Sequence, residues 1–180
     1  MTEQFPLNLN RSWWWLIILL LLINACGMFS PVLNSNDAYF YAVISKTMVS
    51  NHDWINLYYA SQDWLDKPHL PFWLTALSFK IFGISAFAYV LPGFIFHCIG
   101  AIYTYRLGKL LYSEATGIVA TLIYVSSLHL LLSSMDIRAE AFLLGEIVSA
   151  CYYYLRYDRI GGIKNLLLAS IFTGLALMTK

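Results

Sequence analysis

Charge is what this 180-residue chain has least of: 12% of its residues are Asp, Glu, Lys or Arg, against 59% hydrophobic. A soluble domain carries about a quarter charged residues, so the scarcity excludes an ordinary water-soluble fold and implies a polytopic membrane protein. Basic runs are missing too, and a formal net charge of +1 gives a nucleic acid nothing to bind. Cysteine is sparse, and Cys26, Cys98 and Cys151 lie in apolar segments without C-x-x-C spacing. That pattern argues against disulfides and metal ligation and for small buried or lipid-facing residues. No internal repeat, low-complexity tract or flexible linker divides the chain.

What is present is a series of long apolar segments, at about 12–33, 86–107, 114–134, 138–157 and 163–179. About 20 residues at 1.5 Å each cross a hydrocarbon core, so the pattern predicts an all-α multi-helix membrane bundle. Trp13-Trp14-Trp15 opens the first segment as an interfacial aromatic belt. Tyr152-Tyr153-Tyr154 reads as a second belt. The first segment competes with a secretory signal, since Ile23-Asn24-Ala25-Cys26 resembles a lipoprotein cleavage box. Its single-Arg leader and the spans downstream favour an uncleaved helix. His97 and His129, alone on apolar helices, read as satisfied core histidines. Glu146 should face the bundle interior, as a hydrogen-bonded structural group or as lining of a site.

The links holding Arg106 and Lys109, and Arg156, Arg159 and Lys164, belong in the cytoplasm by the positive-inside rule. That leaves the polar stretch 34–82 and the short link 133–138 facing outward. His69 to Phe82 is apolar but short and carries Lys80, so it is predicted to lie along the membrane as an interfacial helix. Asn36 or Asp37 is a good N-cap for a helix over about 38–50, and Asn51-His52-Asp53 breaks it. A short helical or extended piece rich in Trp and Tyr follows over 54–65. Asp37, Lys67, Asp136 and Glu140 then share one external face. A carboxylate there can deprotonate an acceptor hydroxyl. A lysine can stabilise a departing phosphate as a compact point charge, with Pro68 fixing its backbone at the helix start.

Asp37-Ala38-Tyr39-Phe40-Tyr41-Ala42, then Asn51-His52-Asp53-Trp54-Ile55, then Asp66-Lys67-Pro68-His69-Leu70-Pro71-Phe72-Trp73-Leu74 follow one another through the outer stretch. This ordered set resembles the first outer loop of polyprenyl-phosphate-sugar glycosyltransferases of the C superfamily. These include protein O-mannosyltransferases and the lipid A aminoarabinose transferase. The family pattern is Asp-Glu-x-x-Tyr-Ala, Gly-Asp-Trp, and Glu-Lys-Pro-Pro-Leu followed by aromatics. Phe82-Gly83, Leu91-Pro92 and the 174–180 stretch also fit. The resemblance implies Asp37 as the catalytic carboxylate and Lys67 as the contact to the donor phosphate. It leaves the second acid open between Asp136 and Glu140, with Arg138 as a further phosphate contact. Tyr41, Asp53, Trp54 and His69 are candidates for lining the substrate. Ala38, Phe40 and His69 depart from the pattern. Loss of the Glu at position 38 removes a candidate metal ligand, so neither metal nor cofactor is expected beyond the lipid-linked sugar phosphate itself.

The expected partners are a polyprenyl-phosphate-sugar donor, a lipid, glycan or protein acceptor, and membrane lipids, with no nucleic acid. The expected place is the plasma membrane, by analogy a bacterial inner membrane, with the active face outward. The absence of a polar tail after 163–179 suggests the N-terminal part of something longer, inactive alone. The competing reading is a non-enzymatic polytopic protein, a transporter half or an envelope-assembly subunit. Under it, Asp37 only caps a helix, Lys67 only binds headgroups, and Asp136 and Glu140 only flank a helix.

Overall fold

A computed structural model describes residues 12–29, 36–60, 62–128, 130 and 139–180, and of residues 36 and 37 the backbone alone. The chain is an all-α polytopic membrane protein whose helices form a bundle topped at one end by a compact polar excursion. Helix α1 (Ser12–Cys26) runs into a 3-10 turn (Gly27–Phe29), and α4 spans Ala86–Leu111. Among the described residues these two stretches are long and apolar enough to cross a bilayer. Helix α5 (Glu114–Ser126) and α7 (Ile163–Thr179) are apolar but shorter, and α6 (Ala139–Ile160) carries charges at both ends.

Boundaries differ from the sequence expectation in ways the local chemistry explains. Ser85 accepts the Ala88 N–H at 3.2 Å and starts α4, which continues past residue 107 through Arg106 and Lys109. Those long side chains reach water from the last turns. Ser113 accepts the Thr116 N–H at 3.1 Å and starts α5, which ends at Ser126, well short of residue 134. Residues 131–134 and His129 lie outside the described residues.

Bundle contacts are close because small residues meet at the crossings. A Cβ on Gly145 would lie 2.5 Å from the Phe96 carbonyl oxygen, and one on Gly108 would lie 2.7 Å from the Gly117 Cα. Thus α4 packs against α6 and α5 backbone to backbone, and α7 folds back on α6. The α6–α7 turn uses Gly161 and Gly162, both at positive φ. Buried Asn24 on α1 ties the bundle laterally: its Nδ2 donates to the Val125 carbonyl at 3.2 Å and lies 3.3 Å from His97 Nε2. His97 is a satisfied core histidine. Tyr153 is not a belt residue: its hydroxyl meets that of Tyr103 at 2.6 Å and its ring stacks on Phe172. Only Tyr154 of the three is exposed.

The two ends of the bundle differ chemically. At one end Trp14 meets Tyr105 edge-on, Lys109 pairs with Glu114 at 2.9 Å, and an Arg159 N–H donates to the Leu110 carbonyl. At the other end sits the excursion: α2 (Asn36–Asn51), a two-stranded antiparallel hairpin of β1 (Tyr58–Tyr59) and β2 (Gln62–Asp63), and α3 (Leu70–Phe82). Helix α3 has 13 residues, about 20 Å of rise, against a hydrocarbon core of about 30 Å. It packs against α2 and α4. A buried cluster of Met28, Ala38, Phe79, Tyr89 and Phe142 brings the ends of α1 and α3 together with the starts of α2, α4 and α6.

Candidate functional site

The excursion has its own core, in which Ile44 and Met48 of α2 bury against Leu57 and against Phe72 and Ala76 of α3. Over it, Tyr41, Trp64 and Phe72 form an edge-on aromatic triangle with centroid separations of 5.1–6.0 Å. This triangle backs a cavity of about 440 Å³ lined by Phe40, Tyr41, Tyr59, Trp64, Asp66 and Lys67. Lys67 is exposed at its edge, with no ion-pair or hydrogen-bond partner among the described residues. An ammonium beside aromatic side chains, in ion-pair contact with neither Asp66 of the same cavity nor any other described acid, is suited to an anion carrying an apolar tail.

Asp37 lies in the first turn of α2, next to Ala38, which is wholly buried in the cluster shared with Phe142. Its side chain lies outside the described residues, as do Asp136 and Arg138. Glu140 is in the first turn of α6, at the same end of the bundle, where it pairs with Lys180 Nζ at 3.2 Å. Lys180 was not singled out from the sequence. Its signal was there: α6 and α7 are antiparallel about Gly161–Gly162, and residues 140 and 180 stand at similar separations from that turn.

Asp53, Trp54 and His69 come together around a turn, and His69 also lines a cavity of about 400 Å³ with Ile55, Pro68, Trp73, Leu177 and Met178. Asp53 Oδ1 accepts the Ile55 and Asn56 N–H groups, both at 3.0 Å, and Oδ2 accepts Asn56 Nδ2 at 2.9 Å. These bonds, the Asn56 backbone first, hold its carboxyl below the ordinary value. The Trp54 carbonyl accepts Trp73 Nε1–H at 2.7 Å, and the Ile55 carbonyl accepts His69 Nε2–H at 2.8 Å. Lys80 sits 5.7 Å above the Trp54 ring. Both Asp53 oxygens are thus occupied by the protein, which gives this residue a structural task. Pro68 precedes the helix by two residues, and Pro71 occupies the first turn instead.

Glu146 is fully buried; its Oε1 accepts Thr179 Oγ1–H at 3.1 Å, while its Oε2 has no hydrogen-bond partner among the described residues. No group of three metal-ligating side chains occurs among the described residues.

Comparison with known proteins gives a consistent picture. The sequence profile of the family described as dolichyl-phosphate-mannose-protein mannosyltransferase matches residues 66–180. The Yersinia pestis undecaprenyl phosphate-alpha-4-amino-4-deoxy-L-arabinose arabinosyl transferase is 35% identical over 89 residues, covering 49% of this chain and 16% of that protein. An uncharacterized Aquifex aeolicus protein is 29% identical over 147 residues, 78% of this chain and 28% of its own length. Crystal structures of ArnT from Cupriavidus metallidurans superpose with TM-scores of 0.85 in the apo state and 0.82 bound to undecaprenyl phosphate. They share 16% identity with this chain, which covers 33% of each. The chain therefore spans a third or less of the length of these relatives.

Proposed function

Since this chain belongs to the dolichyl-phosphate-mannose-protein mannosyltransferase family, we propose that it forms part of a membrane glycosyltransferase. The enzyme moves a sugar from a polyprenyl-phosphate donor to a hydroxyl or phosphate of a lipid, glycan or protein acceptor. In the proposed step the acceptor oxygen attacks the anomeric carbon while the bond from that carbon to the phosphate oxygen breaks. The phosphate leaves with the electron pair, the acceptor proton passes to Asp37, and configuration inverts in one displacement. Lys67, assisted by Arg138, offsets the charge on the leaving phosphate. Asp136 or Glu140 supplies the second carboxylate. No resident metal or cofactor is assigned to the step.

The observation that carries this reading is Lys67: without an ion-pair or hydrogen-bond partner among the described residues, at the mouth of a mainly aromatic cavity, inside the stretch matched by the family profile. The basic residues at the opposite end, Arg106, Lys109, Arg156 and Arg159, support an external active face by the positive-inside rule. The membrane is then the plasma membrane, in a bacterium the inner one.

The test is binding of undecaprenyl phosphate to the purified full-length protein, with undecaprenol as the uncharged control. Lys67→Ala is expected to weaken the phosphate at least tenfold, about the value of one charge-assisted hydrogen bond, and to leave the alcohol unchanged. Asp37→Asn is expected to keep donor binding and lower transfer in native membranes by about a hundredfold or more. Wild-type affinity in Lys67→Ala would end the reading.

A further inference from the structure

Lys67 sits in a link of four residues, 65–68, between two anchored points, and the second of them is unusual. On the near side the hairpin is closed by its strand pairing and by Trp64 N–H donating to the Leu57 carbonyl at 2.8 Å. On the far side stands His69. It occupies the N-cap of α3 but makes no side-chain capping bond there. Its imidazole instead reaches back fourteen residues to the Ile55 carbonyl. A carbonyl only accepts, so Nε2 carries the proton.

Trp73, one helical turn later, holds the neighbouring Trp54 carbonyl in the same way, because residues i and i+4 share a helix face. The two carbonyls belong to a turn whose N–H groups are already held by Asp53. The turn is therefore rigid from within, and His69 and Trp73 fasten the first turn of α3 to it. Lys67 has no side-chain partner of its own among the described residues. Its position is set by the backbone on either side. Without the His69 bond, Trp73 still holds α3 to the turn, but the link 65–68 loses the tie at its far end and can shift against the Tyr41 and Trp64 rings.

We propose that His69 is a positioning residue: its bond to the Ile55 carbonyl fixes where the Lys67 ammonium stands, and so sets affinity for the phosphate of a polyprenyl phosphate. The inference rests on the reading of Lys67 as the phosphate contact. It gives His69 a different role from lining the substrate. The proline that the resembled pattern has at this position would offer no such donor.

The experiment measures undecaprenyl phosphate and undecaprenol affinities of the full-length protein with His69→Leu, His69→Gln and Lys67→Ala, well below the unfolding temperature of each. His69→Leu is expected to weaken the phosphate ligand about three- to tenfold, the range spanned by one net hydrogen bond. The alcohol should be unaffected. His69→Gln, whose amide N–H can still donate to the Ile55 carbonyl, is expected to recover most of the loss. A purely structural histidine would lower the unfolding temperature and move both ligands together or neither. That result overturns the inference. If Lys67→Ala also fails to distinguish the two ligands, the reading of Lys67 falls with it. If Lys67→Ala does distinguish them and His69→Leu does not, the positioning role alone is wrong.

Discussion

Substituting Gly145 by alanine asks how closely α4 and α6 approach. In an open helical position, Gly→Ala gains about 1 kcal/mol through helix propensity. Gly174 on α7 is such a position, since an added Cβ there meets no described atom within 4 Å. At Gly145 the same Cβ falls 2.5 Å from the Phe96 carbonyl oxygen and 3.3 Å from its carbon. Both are backbone atoms of a packed helix and have no rotamer with which to yield. The helices must part, at the about 1–3 kcal/mol typical of overpacking. The propensity term is common to both sites, so the difference between the two variants isolates the clash. Gly174→Ala should be stabilised by up to about 1 kcal/mol, and Gly145→Ala should fall about 1–3 kcal/mol below it. Thermal unfolding of the purified protein in detergent reads this as about 2–4 °C per kcal/mol for a chain of this size. If Gly145→Ala proves as stable as Gly174→Ala, α4 and α6 are further apart than described.

Two other predictions concern the excursion. His52 ends α2 at φ 55°, a left-handed conformation that costs a non-glycine residue about 1–2 kcal/mol. The family's Gly-Asp-Trp pattern has glycine here, so His52→Gly is expected to raise stability by up to about 1 kcal/mol, less the entropy that glycine adds to the unfolded chain. Unchanged or lower stability in thermal unfolding would contradict this. The Asp53 carboxyl, held low by the Asn56 and Ile55 donors, contributes stability that is present above its ordinary value of 3.8 and is lost as pH falls through its lower folded value. Unfolding of wild type and Asp53→Asn should differ between pH 5 and 7 and converge below that ordinary value. A gap that widens on acidification has the wrong sign for this assignment.

The helical architecture was legible because composition and apolar run length report directly on a lipid environment. The helix over 70–82 was legible from its apolar run, which the structure bounds at Leu70 and Phe82. The 54–65 piece was legible only as helical or extended, and it is a hairpin. Two-residue strands are too short to carry an alternating pattern, and local bonds from Asp53 and Trp64 hold them. The tyrosines at 152 and 153 misled for another reason. Aromatics near a helix end suit a membrane interface, but here Tyr103 and Phe172 on neighbouring helices claim them. At the site, Lys67 could be found from its motif. Its cavity could not, because Phe40, Tyr59 and Trp64 converge from a helix, a strand and a link. Asp53 and His69 stand in the motifs that carry the family resemblance, and only three-dimensional contact reveals that both bond to backbone.

The stack of Phe29 on Phe87, with centroids 5.7 Å apart, marks where the chain leaves the bundle and where it returns. The described parts of the excursion, 36–60 and 62–82, lie between these two points in the chain. Segments with adjacent ends are the ones a scaffold can exchange without rethreading. The excursion is therefore a cartridge. A version with different aromatic walls could be seated on the same helices if it kept the contacts of Ala38 and Phe79 with Tyr89 and Phe142. Substrate preference could then diverge between relatives while the bundle beneath stayed as it is.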